Sequence, residues 1–187
     1  MTNEALLVMD MQVGIVERLG ERAEAILSSA AAAVTAARRH DRPVLFVRVA
    51  FRDGAPEVSA NNKSFSTLAT SHSLGEAHAS TQIHPDLEPL DGEVIVTKRR
   101  VSAFAGSDLD VVLRSLSIDS LVLAGIATSG VVLSTTRQAA DLDFRLTILR
   151  DACADADDEV HRVLMDKVFP RQATVLSSNE WIAQLDA

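Results

Sequence analysis

The sequence is short of cysteine, of basic runs and of long apolar stretches, and each shortage removes a class of protein. One cysteine, Cys153, stands in 187 residues. No disulfide can form within the chain and no cysteine zinc site can be assembled, a usage that fits a reducing cytoplasm, the location expected here. The densest basic run is Lys98-Arg99-Arg100, against a net charge of −8 and a pI of about 5.0. So little clustered positive charge argues against nucleic acid and against an anionic membrane surface as partners. Apolar runs are short: Ala5-Leu6-Leu7-Val8-Met9 is cut by Asp10. None approaches the ~20 residues that span a bilayer. The opening residues lack the basic and long apolar regions of a secretory signal. Repeats and low-complexity tracts are missing, apart from an alanine-rich stretch.

What is present is an alternation. Apolar, partly β-branched runs at residues 5–9, 44–49, 94–97, 121–124, 146–149 and 173–176 read as strands, that at 5–9 as a buried one and that at 121–124 as buried on both faces. Between them lie helical patterns. The first covers residues 21–40, with Ala25, Ile26, Ala33, Val34 and Ala37 toward the sheet. Ser107 is the expected cap of a helix reaching about residue 116, and residues 131–142 form another. Asp157 opens a helix that Pro170 ends, with Val160, Val163, Leu164 and Val168 as its apolar stripe. Ser177 and Glu180 form a capping box for a closing helix that carries Trp181, Ile182 and Leu185. Six such alternations predict an α/β fold with a mostly parallel sheet and helices on both faces. The length suits one domain over residues 1–187. Residues 51–92 interrupt the pattern. They are rich in Gly, Pro, Ser, Asn and His and are far longer than an ordinary βα connection, which makes them a lid, a substrate loop or surface decoration.

In a parallel sheet, ligands bind beyond the carboxyl ends of the strands. Three polar features fall there. Asp10 follows the first strand, Lys98 ends the third, and the small-residue turn Gly125-Ile126-Ala127-Thr128-Ser129-Gly130 follows the fourth. An Asp and a Lys meeting across the sheet edge can serve acid–base chemistry, or can simply be a salt bridge between strand ends.

Four stretches stand in a fixed order along the chain: Leu6-Leu7-Val8-Met9-Asp10-Met11-Gln12; Lys98-Arg99-Arg100-Val101-Ser102-Ala103-Phe104 with Asp108-Leu109; Gly125-Ile126-Ala127-Thr128 with Thr135; and Asp151-Ala152-Cys153-Ala154. In these motifs the chain resembles the isochorismatase-like, or cysteine hydrolase, superfamily. The resemblance implies a three-layer Rossmann-like fold with strand order 3-2-1-4-5-6. For amidase members it implies an Asp–Lys–Cys triad, in which Asp10 and Lys98 match the first two positions. The nucleophile position, fixed by the turn and by Thr135, is Val131. Cys153 lies on a different junction and is expected to be a small buried residue. Isochorismatases themselves cleave a vinyl ether without a cysteine, so the departure has a parallel within the superfamily. The resemblance also implies a cis peptide at Ile126–Ala127 and an oxyanion site built from the amides of Ala127 and Val131. Metal-binding members carry an Asp-x-His motif. None occurs here, although His72, His78 and His84 lie in the corresponding region, so neither a metal nor another cofactor is expected.

Gln12, Arg48, Phe104 and Thr128 are candidates for the substrate pocket, and Arg52 and Arg99 are further candidate anchors for an anionic substrate. The expected partner is a small molecule. The resemblance implies a homo-oligomer, dimer or tetramer, with residues 51–92 available to pack against a neighbour. Two readings of function follow. One is a hydrolase of a small anionic vinyl ether, amide or ester that works through Asp10 and Lys98. The other is a pseudoenzyme that keeps the pocket and binds a small acid or amide.

Overall fold

The computed structural model describes residues 3–67 and 74–187. Six strands form one parallel sheet: β1 (Glu4–Met9), β2 (Val44–Val49), β3 (Val94–Lys98), β4 (Ser120–Ile126), β5 (Arg145–Ala154) and β6 (Thr174–Leu176). Their order is β3-β2-β1-β4-β5-β6, as the resemblance implies. The chain runs outward from β1 to β3, returns to β4 beside β1, and runs outward again. The crevice at the β1/β4 switch point is therefore the place for a site.

Strand alternation sorts the core into two layers. Ala5, Leu7 and Met9 face the layer built with Leu109, Leu113, Ala139, Met165 and Phe169. Leu6 and Val8 face the layer built with Leu27, Ala30, Ala33, Val34, Ala37 and Trp181. The first layer is covered by α3 (Leu109–Ser115), α4 (Leu133–Asp141) and the region of α5 (Asp158–Val163). The second is covered by α2 (Ala23–Arg39) and α6 (Ser178–Leu185). The small side chains of α2 favour both helix formation and close approach to the sheet. A short helix, α1 (Val13–Val16), and a 3₁₀ segment, Glu17–Arg22, precede it. Gly20, at φ 58°, breaks the helical path there, so the long helix starts at Ala23 rather than Glu21.

Other boundaries differ for local reasons. Ser107 accepts the Leu109 amide at 3.3 Å, but its own hydroxyl donates to the carbonyl of Ala103, and Asp108 occupies the N-cap position. Strand β5 continues five residues past Leu149. Its register shifts between Leu123 and Gly125, so that Ile148 faces Leu123 and Cys153 faces Gly125. The polar residues Arg150 and Asp151 sit within that shift. Arg150 pairs with Asp166, and Asp151 accepts the amide and hydroxyl of Ser178 at 2.7 Å each. Asp157 does cap α5, and the Ser177/Glu180 capping box is formed. The expected stripe fails at Val160, which is exposed. Leu164 is buried as expected and Val168 packs against the core. A π-type turn, Leu164–Val168, adds a residue to the winding, and Met165 and Phe169 are buried as well.

Residues between β2 and β3 carry 3₁₀ turns at Ala79–Thr81 and Pro85–Leu87. They also build a small apolar cluster with Val49, in which Phe51 and Phe65 stack edge to face at 5.4 Å. Among the described residues, no helix is long and apolar enough to cross a membrane.

Candidate functional site

Asp10 leaves β1 in a left-handed conformation, at φ 56°. That conformation is uncommon outside glycine, and Asp is among the residues that tolerate it best. Its amide is held by the carbonyl of Val47 at 2.8 Å. On the other side, β4 comes so close that a Cβ on Gly125 would lie 2.6 Å from the Met9 carbonyl oxygen. Only a glycine lets β4 pass there, directly beside the origin of the Asp10 side chain.

Lys98 ends β3, two strands away from β1. Strands two apart are separated by about 10 Å, and the lysine and aspartate side chains together bridge that distance past β2. Its Nζ stands 2.9 Å from Asp10 Oδ2 and donates to the carbonyls of Arg100 and Val101 at 2.9 and 3.0 Å. An ammonium has three donors, and all three are engaged. Asp10 is 6% exposed and Lys98 2%. Burial raises the Asp10 pKa above the ordinary carboxylate value, against the opposing pull of the Lys98 charge and hydrogen bond. The second carboxyl oxygen, Oδ1, is buried with no hydrogen-bond partner. The pair therefore holds a carboxyl with one oxygen anchored and one open to accept or deliver a proton.

The turn after β4 contains a cis peptide at Ile126–Ala127 and winds as a π-type turn over Thr128–Val132 before α4 begins. Val131 is buried in the same apolar layer as Phe104 and Cys153. Thr135 accepts the Ala103 amide at 2.9 Å, which ties α4 to the loop that holds the Lys98 ammonium. Two residues that the sequence reading passed over hold the turn from outside. Asp155, at the end of β5, accepts the Ser129 amide at 2.7 Å, and His161 of α5 meets the Thr128 hydroxyl at 2.8 Å. The available signal was position alone: both follow the carboxyl end of a strand neighbouring β4.

The structure thus brings Asp10 and Lys98 into contact. Several residues expected along a pocket have other partners instead. Gln12 is buried, donating to the carbonyls of Val49 and Thr81 and accepting the Val49 amide. Arg48 donates to Thr97, to the Glu76 carbonyl and to Gln82. Arg52 pairs with Glu57, and Arg99 pairs with Glu57 and Glu76. Phe104 packs in the core, 6.0 Å from the ring of Phe144. Thr128 is fully buried. An open groove of about 910 Å³ runs along the outer edge of β3, lined by Arg52, Thr97, Arg100 and Asp108; its lining includes neither Asp10 nor Lys98. His78 and His84 each accept a backbone amide at the start of a 3₁₀ turn, and His72 lies outside the described residues. Among the described residues, no group of three or more His, Cys, Asp or Glu is placed to hold a metal ion.

Cys153 is buried, and burial pushes its thiol pKa up to about 12. Its sulfur lies 4.0 Å from the Leu123 carbonyl and is also met by the backbone of Gly125.

Known proteins resemble this chain over nearly its whole length. The Isochorismatase domain pattern matches residues 4–180. An uncharacterized isochorismatase family protein of Bacillus subtilis, YwoC, is 34% identical over 97% of this chain and 93% of its own. The ureidoacrylate amidohydrolase RutB of Stutzerimonas stutzeri is 28% identical over 98% of this chain and 80% of its own. Among solved structures, the N-carbamoylsarcosine amidase of Thermoplasma acidophilum superposes with a TM-score of 0.79 at 25% identity, covering 96% of this chain and 98% of its own.

Proposed function

The chain belongs to the isochorismatase family, and on that premise we propose that it hydrolyses a small molecule through Asp10 and Lys98, without a cysteine nucleophile. The observation that carries this reading is the buried Asp10–Lys98 pair with Oδ1 of Asp10 unpartnered. In the amide or ester case, Asp10 takes a proton from water as the water oxygen bonds to the substrate carbon, then returns it to the leaving nitrogen or oxygen. In the vinyl ether case, protonated Asp10 delivers its proton to the alkene carbon. Water adds to the resulting cation and returns a proton to Asp10, and the hemiketal so formed breaks its ether C–O bond to release an alcohol and a ketone. A raised pKa suits the second role and leaves the first available at higher pH. Lys98 steadies the ionised carboxylate throughout. The amides of Ala127 and Val131 serve as the clamp for developing negative charge.

Relatives named for ureido and carbamoyl substrates put such amides first among candidates. The test is a turnover screen of ureidoacrylate, N-carbamoylsarcosine, simple amides and esters, and isochorismate, run beside Asp10→Asn. Turnover that Asp10→Asn abolishes supports the proposal. Val131 at the nucleophile position favours the second reading, a pseudoenzyme that binds a small acid or amide. Thermal stabilisation by one of these compounds with no turnover of any of them would establish that reading in place of the first.

We place the active unit as a homo-oligomer acting on a small molecule. Size-exclusion chromatography with light scattering checks the first part.

A further inference from the structure

We infer that His161 is a positioning residue for the turn Thr128–Val132, acting through the hydroxyl of Thr128. The inference rests on the reading of that turn as the clamp for negative charge.

The argument starts from one proton. Thr128 is fully buried, and its hydroxyl has no hydrogen-bond partner among the described residues other than His161 Nδ1, at 2.8 Å. A buried hydroxyl proton needs an acceptor. Nδ1 must therefore be bare and accept, which places the ring hydrogen on Nε2 and leaves the imidazole neutral.

The surroundings favour the same state. Burial disfavours the imidazolium, and Arg150 of β5 adds to that effect. Asp155 at the end of β5, Asp158 on α5 and Asp166 beyond it pull the other way. Their pull is weakened because Asp158 pairs with Arg22, Asp166 with Arg150, and Asp155 accepts the Ser129 amide. The balance lowers the His161 pKa below its ordinary value.

The turn is thus tied at two consecutive residues, and the ties differ. Asp155 accepts a backbone amide, that of Ser129, with a carboxylate oxygen. The Thr128 tie reverses when His161 takes up a proton: Nδ1 becomes a donor, the hydroxyl must accept, and its own proton loses its partner. Thr128 opens the π-type turn, so reorienting it moves the amides of Ser129, Gly130 and Val131 that follow. A histidine that only fills space would titrate without moving them.

Backbone amide NMR of the full chain between pH 8 and pH 5 tests this without any substrate. The Ser129, Gly130 and Val131 amides are expected to shift with one midpoint, shared with the His161 ring and below the free imidazole value of ~6.5. In Thr128→Val the ring should still titrate while the amides stay still. In His161→Asn, whose side-chain oxygen can accept near the Nδ1 position, the amides should stay near their high-pH shifts throughout. Amides that ignore the ring titration, or that follow it equally in Thr128→Val, would overturn the inference. With a substrate that turns over, His161→Leu should lower kcat at least tenfold with KM within about twofold, and His161→Asn should recover most of the loss. A protein that turns over nothing would count against the hydrolase reading, while the NMR result would still decide the role of His161.

Discussion

Asp10 and Cys153 make a natural pair for comparison. Each lies near the carboxyl end of a strand, β1 and β5, each is buried, and in each burial raises the pKa. Their company differs. Cys153 has apolar neighbours and the backbone of Leu123 and Gly125, and its thiol is pushed up to about 12. Asp10 has a lysine at 2.9 Å and a second oxygen with no partner. Burial alone makes a titratable group inert. Burial beside a fixed opposite charge leaves both protonation states within reach, which acid–base chemistry requires.

The sharpest way to break the comparison is to remove the carboxyl from the first site. Asp10→Asn keeps the shape and the tolerance for the left-handed backbone but cannot exchange a proton. Any hydrolysis found in the screen should fall by about 10²–10⁴-fold, read as kcat/KM. A smaller loss would mean that Asp10 is a structural partner of Lys98.

The next largest effect is expected from Lys98→Met, which leaves Asp10, like Cys153, with no neighbouring positive charge acting on it among the described residues. Losing one partner of a buried pair should cost about 3 kcal/mol near neutral pH. The sign with pH follows from the shift. Without the lysine, the native carboxyl keeps its proton to still higher pH, while the unfolded chain releases it near the ordinary value. Stability should therefore fall as pH rises from the ordinary carboxylate range upward, and more steeply than in the parent. Urea unfolding at pH 5 and pH 8 measures this. Asp10→Asn combined with Lys98→Met should recover most of the loss; no recovery would show that the lysine matters through its packing rather than its charge.

Val131→Cys sharpens the comparison by putting a second thiol at the position the family resemblance assigns to the nucleophile. The packing cost should be on the order of 1 kcal/mol, since the two side chains are similar in size. If Asp10 and Lys98 act on that position, the new thiol should have a pKa below the free value of ~8.5 and react with iodoacetamide much faster than Cys153. An introduced thiol as inert as Cys153 would leave only the fold in common with the cysteine hydrolases.

The smallest effect is expected at Cys153 itself. With a pKa of about 12, on the order of one thiol in ten thousand is ionised at pH 8, and the sulfur is covered as well. Iodoacetamide should leave the native protein unmodified by intact mass and label it only after unfolding. Stoichiometric labelling of the native protein within minutes would reverse the assignment.

The strands were legible because parallel strands buried on both faces are nearly continuous apolar runs, as at Val44–Val49. The Asp157 cap and the Ser177/Glu180 box were legible because their chemistry is local. The length of β5 was not. Arg150 and Asp151 look like the end of a strand, and only the register shift opposite Gly125 and the distant partners Asp166 and Ser178 let them stay in it. The apolar stripe after Asp157 was legible at Leu164 and Val168 but not at Val160, because a π-type turn alters the period on which such patterns depend. In the site, Asp10 and Lys98 could be picked out because each follows directly on an apolar strand. Glu76 and Gln82, which hold Arg48, and Glu57 and Glu76, which hold Arg99, lie in residues 51–92, where sequence carries little periodicity, and His161 reaches Thr128 from 33 residues away.

Gln12 has one more consequence. Among the described residues, the hydrogen bonds of its side chain go to the Thr81 carbonyl in the segment between β2 and β3 and to the backbone of Val49 in β2. Such a mooring senses where the chain runs and is blind to which side chains it carries. At this mooring the frame asks for a backbone carbonyl rather than a particular side chain, whereas Glu57, Glu76 and Gln82 of the same stretch are tied to Arg99 and Arg48 by their side chains. A segment grafted between β2 and β3 thus has a docking point in the Gln12 side chain, provided that it offers a backbone carbonyl where Thr81 does now.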